Sequence, residues 1–328
     1  MARHRYDIDQ YHVENTGSWL GGFQRYEKGH HGHLSRQEKV RQRNTSWEAN
    51  AKASHTWNRG LLLHWALTGD PRSLDAAEQN GRAYRRFFYD QHKLHEKETL
   101  PWSEFRTPVW AIENWLALHE YTGKPEYLDW AEELFDKSLL AMEQENGGVG
   151  HILPEGRQDA QFTSYIVEPV IRLHHHTGRQ NIVLFLKRVL DWQRAHRTAR
   201  GYTKDNVYYP LMWQEDWEYD PEPDTVVSLG ASHHYNFMLC DGYAYLYRIL
   251  GRKDDIEFAR MLFRDIMLWH MTDRVDDPNY RSPLGYHHLG SPLGSTPKLH
   301  AWSGRYAQIY LQNEQLKGEK STTKRRLK

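Results

Sequence analysis

The sequence predicts an all-α fold, an (α/α) toroid assembled from helical hairpins, and three observations predict it. One hairpin design recurs along the chain, the break inside each hairpin centres on glycine, and no alternating apolar–polar run is long enough to compete as a sheet. The first copy, Gly60 to Phe88, is an apolar helix, a Thr68-Gly69-Asp70-Pro71 break and a second helix. The second copy, Ala111 to Leu140, breaks at Thr122-Gly123-Lys124-Pro125, the third, Tyr165 to Gln193, at Thr177-Gly178, and the fourth, Phe237 to Met267, at Gly251. Successive break glycines lie 54, 55 and 73 residues apart. Glycine suits a helix C-terminus that turns left-handed, and proline two residues later suits the first turn of the next helix.

The second helix of each pair is amphipathic: Leu128, Ala131, Phe135 and Leu139 share one face, with Asp129, Glu132 and Asp136 elsewhere. The first helix is apolar nearly all round, as in Ala111 to Leu118 and Gly242 to Leu250, which predicts burial on most sides. An inner set of buried helices wrapped by an outer amphipathic set is the toroid pattern. Ala301 to Leu316 reads as one more inner helix without an outer partner. About four and a half hairpins result, so the barrel is expected to be incomplete, distorted, or completed by the irregular first segment. The expected organisation is an irregular 1–50 segment packing on the toroid, a catalytic domain over 51–316, and a polar, basic, disordered tail over 317–328.

Composition narrows the function. The 328 residues carry 43 Lys+Arg against 43 Asp+Glu, so no basic field favours nucleic acid. The single cysteine excludes an internal disulfide and a cysteine-based zinc cluster. Charges occupy the first twenty residues where a signal peptide would be apolar, and no run is long enough to cross a bilayer, so a soluble, thiol-reduced, cytoplasmic setting is expected. The surplus lies in 13 Trp, 20 Tyr and 21 His, and flat aromatic faces with one polar handle suit stacking on sugar rings.

The run His55-Thr56-Trp57-Asn58-Arg59-Gly60-Leu61-Leu62-Leu63-His64-Trp65-Ala66-Leu67-Thr68-Gly69-Asp70 resembles the inner-helix-plus-break segment of α/α-toroid carbohydrate-active enzymes. It looks most like the toroid domain of the exo-rhamnogalacturonan lyase and YetA-like group, within the six-hairpin glycosidase and polysaccharide lyase assemblage. That resemblance implies a carbohydrate substrate and a cleft at the end of the toroid where the inner helices begin. Aligned helix N-termini there favour an anionic ligand such as a uronic acid.

Each inner-helix entrance carries polar or aromatic residues. They are His55, Trp57, Asn58 and Arg59 at the first, Trp102, Glu104 and Arg106 at the second, and Asp159, Gln161 and Tyr165 at the third. His233, His234, Tyr235 and Asn236 stand at the fourth, and His300, Trp302 and Arg305 at the last. Capping explains Ser, Thr, Asp and Asn at helix starts, but not recurring His, Tyr, Arg and Trp. Two chemistries fit. For β-elimination at a uronate, Asn58, Arg59 or Arg305 would hold the carboxylate, His55, His233 or His234 would take the proton, and Tyr165 or Tyr235 would protonate the leaving oxygen. Hydrolysis needs two carboxyl groups across the scissile bond. Its candidates are Glu104, Asp159, Glu168, Asp216 and Asp241, with Glu104, Asp159 and Asp216 first among them. The wealth of histidine and tyrosine tilts the expectation toward a lyase; a glycoside hydrolase or a non-catalytic glycan-binding repeat is the alternative.

Two long connections add candidates: Trp213 and Trp217 with Tyr208, Tyr209 and Tyr219 in the Gly201 to Gly230 stretch, and His287 and His288 in the Pro278 to Lys298 stretch. No cofactor is expected. His174, His175 and His176 point about 100 degrees apart on a helix and read as packing and C-terminal charge, not a metal site. His30, His31 and His33 lie in an irregular segment that could fold over the cleft.

Overall fold

The computed structural model describes residues 56–100, 106–143, 164–195, 198–202, 205–209, 236–271 and 305–315. The segments 1–50 and 317–328 lie outside them. The chain divides into two compact units, Met1–Met142 and Glu143–Lys328. The first holds helices α1 (Arg59–Thr68), α2 (Pro71–Arg85), α3 (Arg106–Thr122) and α4 (Pro125–Leu134). The second holds α5 (Val167–Thr177), α6 (Gln180–Ala195), strands β1 (Thr198–Tyr202) and β2 (Asp205–Tyr209), α7 (Asn236–Leu250), α8 (Lys253–Met271) and a helix over 308–315, here α9. The fold class is all-α and built from α/α hairpins, α1–α2 and α3–α4 in one unit, α5–α6 and α7–α8 in the other.

The breaks follow from local chemistry. Gly69, Gly123, Gly178 and Gly251 take φ of 71°, 71°, 64° and 72°, a left-handed conformation that costs other residues a Cβ clash. Their N–H groups donate to the carbonyls of Trp65, His119, His174 and Tyr247, closing each helix. The threonine before glycine works in both directions. Thr68, Thr122 and Thr177 donate their hydroxyls to the carbonyls of His64, Leu118 and Leu173 at 2.6, 2.6 and 2.9 Å. The same oxygens accept the N–H of Asp70, Lys124 and Arg179 at 3.2, 3.3 and 3.3 Å. Pro71 and Pro125 then open the outer helices, and Asp70 caps α2 by accepting the N–H of Arg72 at 3.1 Å.

Inner and outer helices separate as the apolar pattern requires. Thr107 to Leu118 of α3 and Phe237 to Leu246 of α7 are buried throughout. Helix α1 departs from this, because α2 and α3 cover one side of it: Leu61 and Leu62 are buried, while Leu63 is 50% and Leu67 76% exposed. In the first unit Trp115, wholly buried, meets the rings of Tyr84, Phe88 and Trp130 edge-on and donates Nε1–H to the Gly81 carbonyl at 3.0 Å. Gly81 permits that approach, since a Cβ there would stand 2.5 Å from Leu118 Cδ1. Both outer helices of this unit loosen at their C-terminal ends into π-helical turns, Arg86–Gln91 and Phe135–Leu139, which turn Phe87, Phe88, Phe135 and Leu139 inward.

In the second unit a buried ion cluster joins α6, α7 and α8. Asp255, fully buried, binds Arg194, and Arg252 Nε stands 3.1 Å from its Oδ2. Arg252 and Lys187 bind Asp191 at 3.2 and 2.7 Å. The Arg194 guanidinium lies 4.8 Å from the ring centres of both Tyr243 and Phe258, whose faces offer negative charge to a cation. The stretch after α6, expected as loop, forms a two-stranded antiparallel hairpin with Thr198 opposite Tyr209 and Tyr202 opposite Asp205. Strands of five residues each leave too little alternation to stand out in the sequence.

Candidate functional site

The described candidates form two polar clusters, one in each unit. In the first, Trp57 packs edge-on against Trp110, ring centres 5.8 Å apart, just before α1. Arg59 Nε stands 3.2 Å from Glu113 Oε1; the arginine side chain is 39% exposed and the carboxylate 4%. Asn58 is committed to structure at both ends of its amide: Nδ2 donates to the Ala77 carbonyl at 3.0 Å, and Oδ1 accepts from Asn80 at 2.7 Å. Its side chain ties the start of α1 to α2. Arg106 opens α3 and is half-buried.

The second cluster gathers at the N-terminal ends of α5, α7 and α9. Glu168 stands in the first turn of α5, where the helix dipole favours an anion. Arg305 Nε and Nη2 converge on its Oε2 at 3.0 and 2.7 Å, and the Arg305 guanidinium lies over the Tyr306 ring at 5.1 Å. Asp241, 9% exposed in α7, accepts the N–H of Ile309 and Tyr310 on Oδ1 at 2.8 and 3.1 Å, and that of Gln308 on Oδ2 at 3.2 Å. Burial pushes its carboxyl up to about 7; the three N–H donors pull the other way, and the charge of Glu168 adds to the rise. Tyr165 is buried in the short turn before α5.

The Asp241 shift has a sign that can be tested. Its folded pKa lies above the unfolded value of about 3.9, so the folded chain binds the proton more tightly. The stability this provides is complete below about pH 4 and is lost as pH rises to about 7, at up to about 1.4 kcal/mol per pH unit. Urea denaturation across that range should show the slope in the wild-type chain and its loss in Asp241→Asn. An unchanged slope in the variant would assign it to other groups.

Among the sequence candidates, His55, Trp102, Glu104, Asp159, Gln161, Trp213, Asp216, Trp217, His233, His234, Tyr235, His287, His288, His300 and Trp302 lie outside the described residues, as do His30, His31 and His33. Arg59 and Arg305 each stand on a carboxylate of the protein. Glu113, unnoticed in the sequence, had one signal there: a charge inside an otherwise apolar inner helix requires a partner. At the C-terminal end of α5, His174 Nδ1 pairs with the Tyr245 hydroxyl, and burial lowers its pKa. His175 meets the Tyr245 ring edge-on at 5.3 Å. No described helix is long and apolar enough to cross a membrane.

No protein-family model matches the chain, and no curated protein matches it. Among solved structures it is similar to an unsaturated glucuronyl hydrolase from Bacillus sp. GL1, with 17% identity and a TM-score of 0.46 over 64% of this chain and 55% of that one. An α-1,6-mannanase variant from Salegentibacter sp. HEL1_6 gives 11% and 0.48 over 67% and 61%, and a cellobiose 2-epimerase from Spirochaeta thermophila gives 11% and 0.49 over 82% and 74%. The chain thus spans about half the length of the glucuronyl hydrolase, 55%, and 61% of the mannanase.

Proposed function

We propose that the chain is a carbohydrate-active enzyme that cleaves glycosidic bonds by hydrolysis, with Glu168 as a working carboxylate at the N-terminal end of α5. The carbohydrate substrate rests on the sequence resemblance of His55 to Asp70 and on the aromatic surplus. The hydrolytic chemistry rests on one observation, the Arg305–Glu168 pair. Its carboxylate side chain is 20% exposed, within reach of solvent, and is held in place by the arginine beside it. Such a group can act as base or nucleophile toward an anomeric carbon. Asp241 is too enclosed to serve as its partner, so the second carboxyl is assigned to Asp159 or Asp216 of the same unit.

Elimination at a uronate, with His55, His233 or His234 as base and Tyr165 or Tyr235 as acid, asks for a cation on the substrate carboxylate. Arg59 and Arg305, which the sequence offers for that task, are engaged with Glu113 and Glu168. This favours hydrolysis of the two. Incubation with a panel of neutral and uronate-containing oligosaccharides separates them. Hydrolysis yields products whose masses sum to substrate plus one water and no new ultraviolet band. An unsaturated, ultraviolet-absorbing product would establish elimination and overturn the proposal. Sugar-dependent binding with no turnover would replace it with a glycan-binding repeat.

A further inference from the structure

Helix α9 begins without a cap of its own. The first N–H groups of a helix have no partner within it, and a side-chain oxygen of the preceding residue normally accepts one. The residue before α9 is Ala307, which carries no such oxygen, and its φ of 67° turns the chain sharply. The carboxylate of Asp241 supplies the missing acceptors from α7, taking three successive N–H groups, those of Gln308, Ile309 and Tyr310. Tyr306 and Ala307 are buried on either side of the turn. Arg305 stands two residues before it and reaches Glu168. The other tethers of α9 act lower down: Asn313 donates to the Ala244 carbonyl at 3.3 Å, and Arg260 grips Glu314 at 2.9 Å.

We propose that Asp241 is a positioning residue, whose carboxylate fixes the first turn of α9 and through it the placement of Arg305 on Glu168. Its importance for catalysis rests on the role given to Glu168 above. The positioning itself does not. Around Asp241, α5 brings the charge of Glu168 with its Arg305, and α9 brings the N–H groups of Gln308, Ile309 and Tyr310. The charges of α8 and α6 are paired elsewhere, Arg260 with Glu314 and Arg194 and Asp191 within the Asp255 cluster.

The test follows the Glu168 carboxyl and the α9 amides by NMR in the full chain, without substrate. With its carboxyl pushed up to about 7, Asp241 is already protonated where a glutamate titrates, so Asp241→Asn takes no charge away from Glu168 there, whereas losing the Arg305 grip raises the pKa of Glu168. In Asp241→Asn we expect the pKa of Glu168 to rise, as it does in Arg305→Gln, and the amides of 308–310 to exchange about tenfold faster. Arg305→Gln should leave those amides protected, and the double variant should show no further rise. Asp241→Glu keeps the carboxyl group and moves it by one methylene, so any rise there comes from geometry. A fall in the pKa of Glu168 in Asp241→Asn, or undiminished protection, would overturn the proposal. So would rapid exchange of the 308–310 amides in the wild-type chain. A chain that hydrolyses no glycan but passes these tests would overturn the role of Glu168 and leave the positioning intact.

Discussion

Glu168→Gln is expected to lower kcat on a hydrolysed glycan by roughly 10²–10⁴-fold, the usual contribution of a positioned acid–base group. Glutamine keeps the length of the side chain and an oxygen for Arg305 to grip, so the first turn of α5 should hold its shape. KM should therefore move little, because the lost interaction is one made in the transition state. Thermal unfolding of the variant is the control, and a Tm near that of the wild type assigns the loss to chemistry. A kcat within about threefold of the wild type would remove Glu168 from the reaction. Asp159→Asn and Asp216→Asn, made alongside, identify the second carboxyl by the same comparison.

The carboxylates show why the fold was more legible in the sequence than the site. The Thr-Gly breaks are local: the threonine hydroxyl reaches a carbonyl four residues back and an amide two residues ahead, so seven residues contain the whole device. Helix burial is nearly as local, since a helix apolar on all sides has few places to go. The ion pairs are not. Arg305 and Glu168 are separated by 137 residues, and Asp241 and Ile309 by 68. Sequence shows that a charge in an apolar helix needs a partner, as at Glu113, Glu168 and Asp241, but not which one. The sequence put Glu104, Asp159 and Asp216 ahead of Glu168 and Asp241, although none of the five stands in a repeated or motif-like context. The π-helical turns had no signal at all, since Arg86–Gln91 and Phe135–Leu139 continue the amphipathic pattern of α2 and α4 without a Gly or Pro. Leu63 and Leu67 of α1 are exposed for a related reason: periodicity reports that a face is apolar, while neighbouring helices decide whether it is covered.

Asp255→Ala is expected to destabilise the second unit by about 3–5 kcal/mol, the range for breaking a buried ion pair by deleting one partner. Asp255 is fully buried in the first turn of α8, and burial raises its carboxyl above the ordinary value while Arg194 and Arg252 oppose that rise. Deleting it takes from the Arg194 guanidinium, 20% exposed between Tyr243 and Phe258, the buried carboxylate it binds. Arg252 suffers less, because Asp191 still binds it. Most of the loss therefore comes from Arg194, and Arg194→Leu combined with Asp255→Leu should recover much of it, since two apolar side chains strand no charge. Urea denaturation of the single and double variants measures the coupling. A loss below about 1 kcal/mol in Asp255→Ala would place the pair with exposed salt bridges, which contribute little. In that case the cation–π contacts of Arg194, not its carboxylate, would be what joins α6 to α7 and α8.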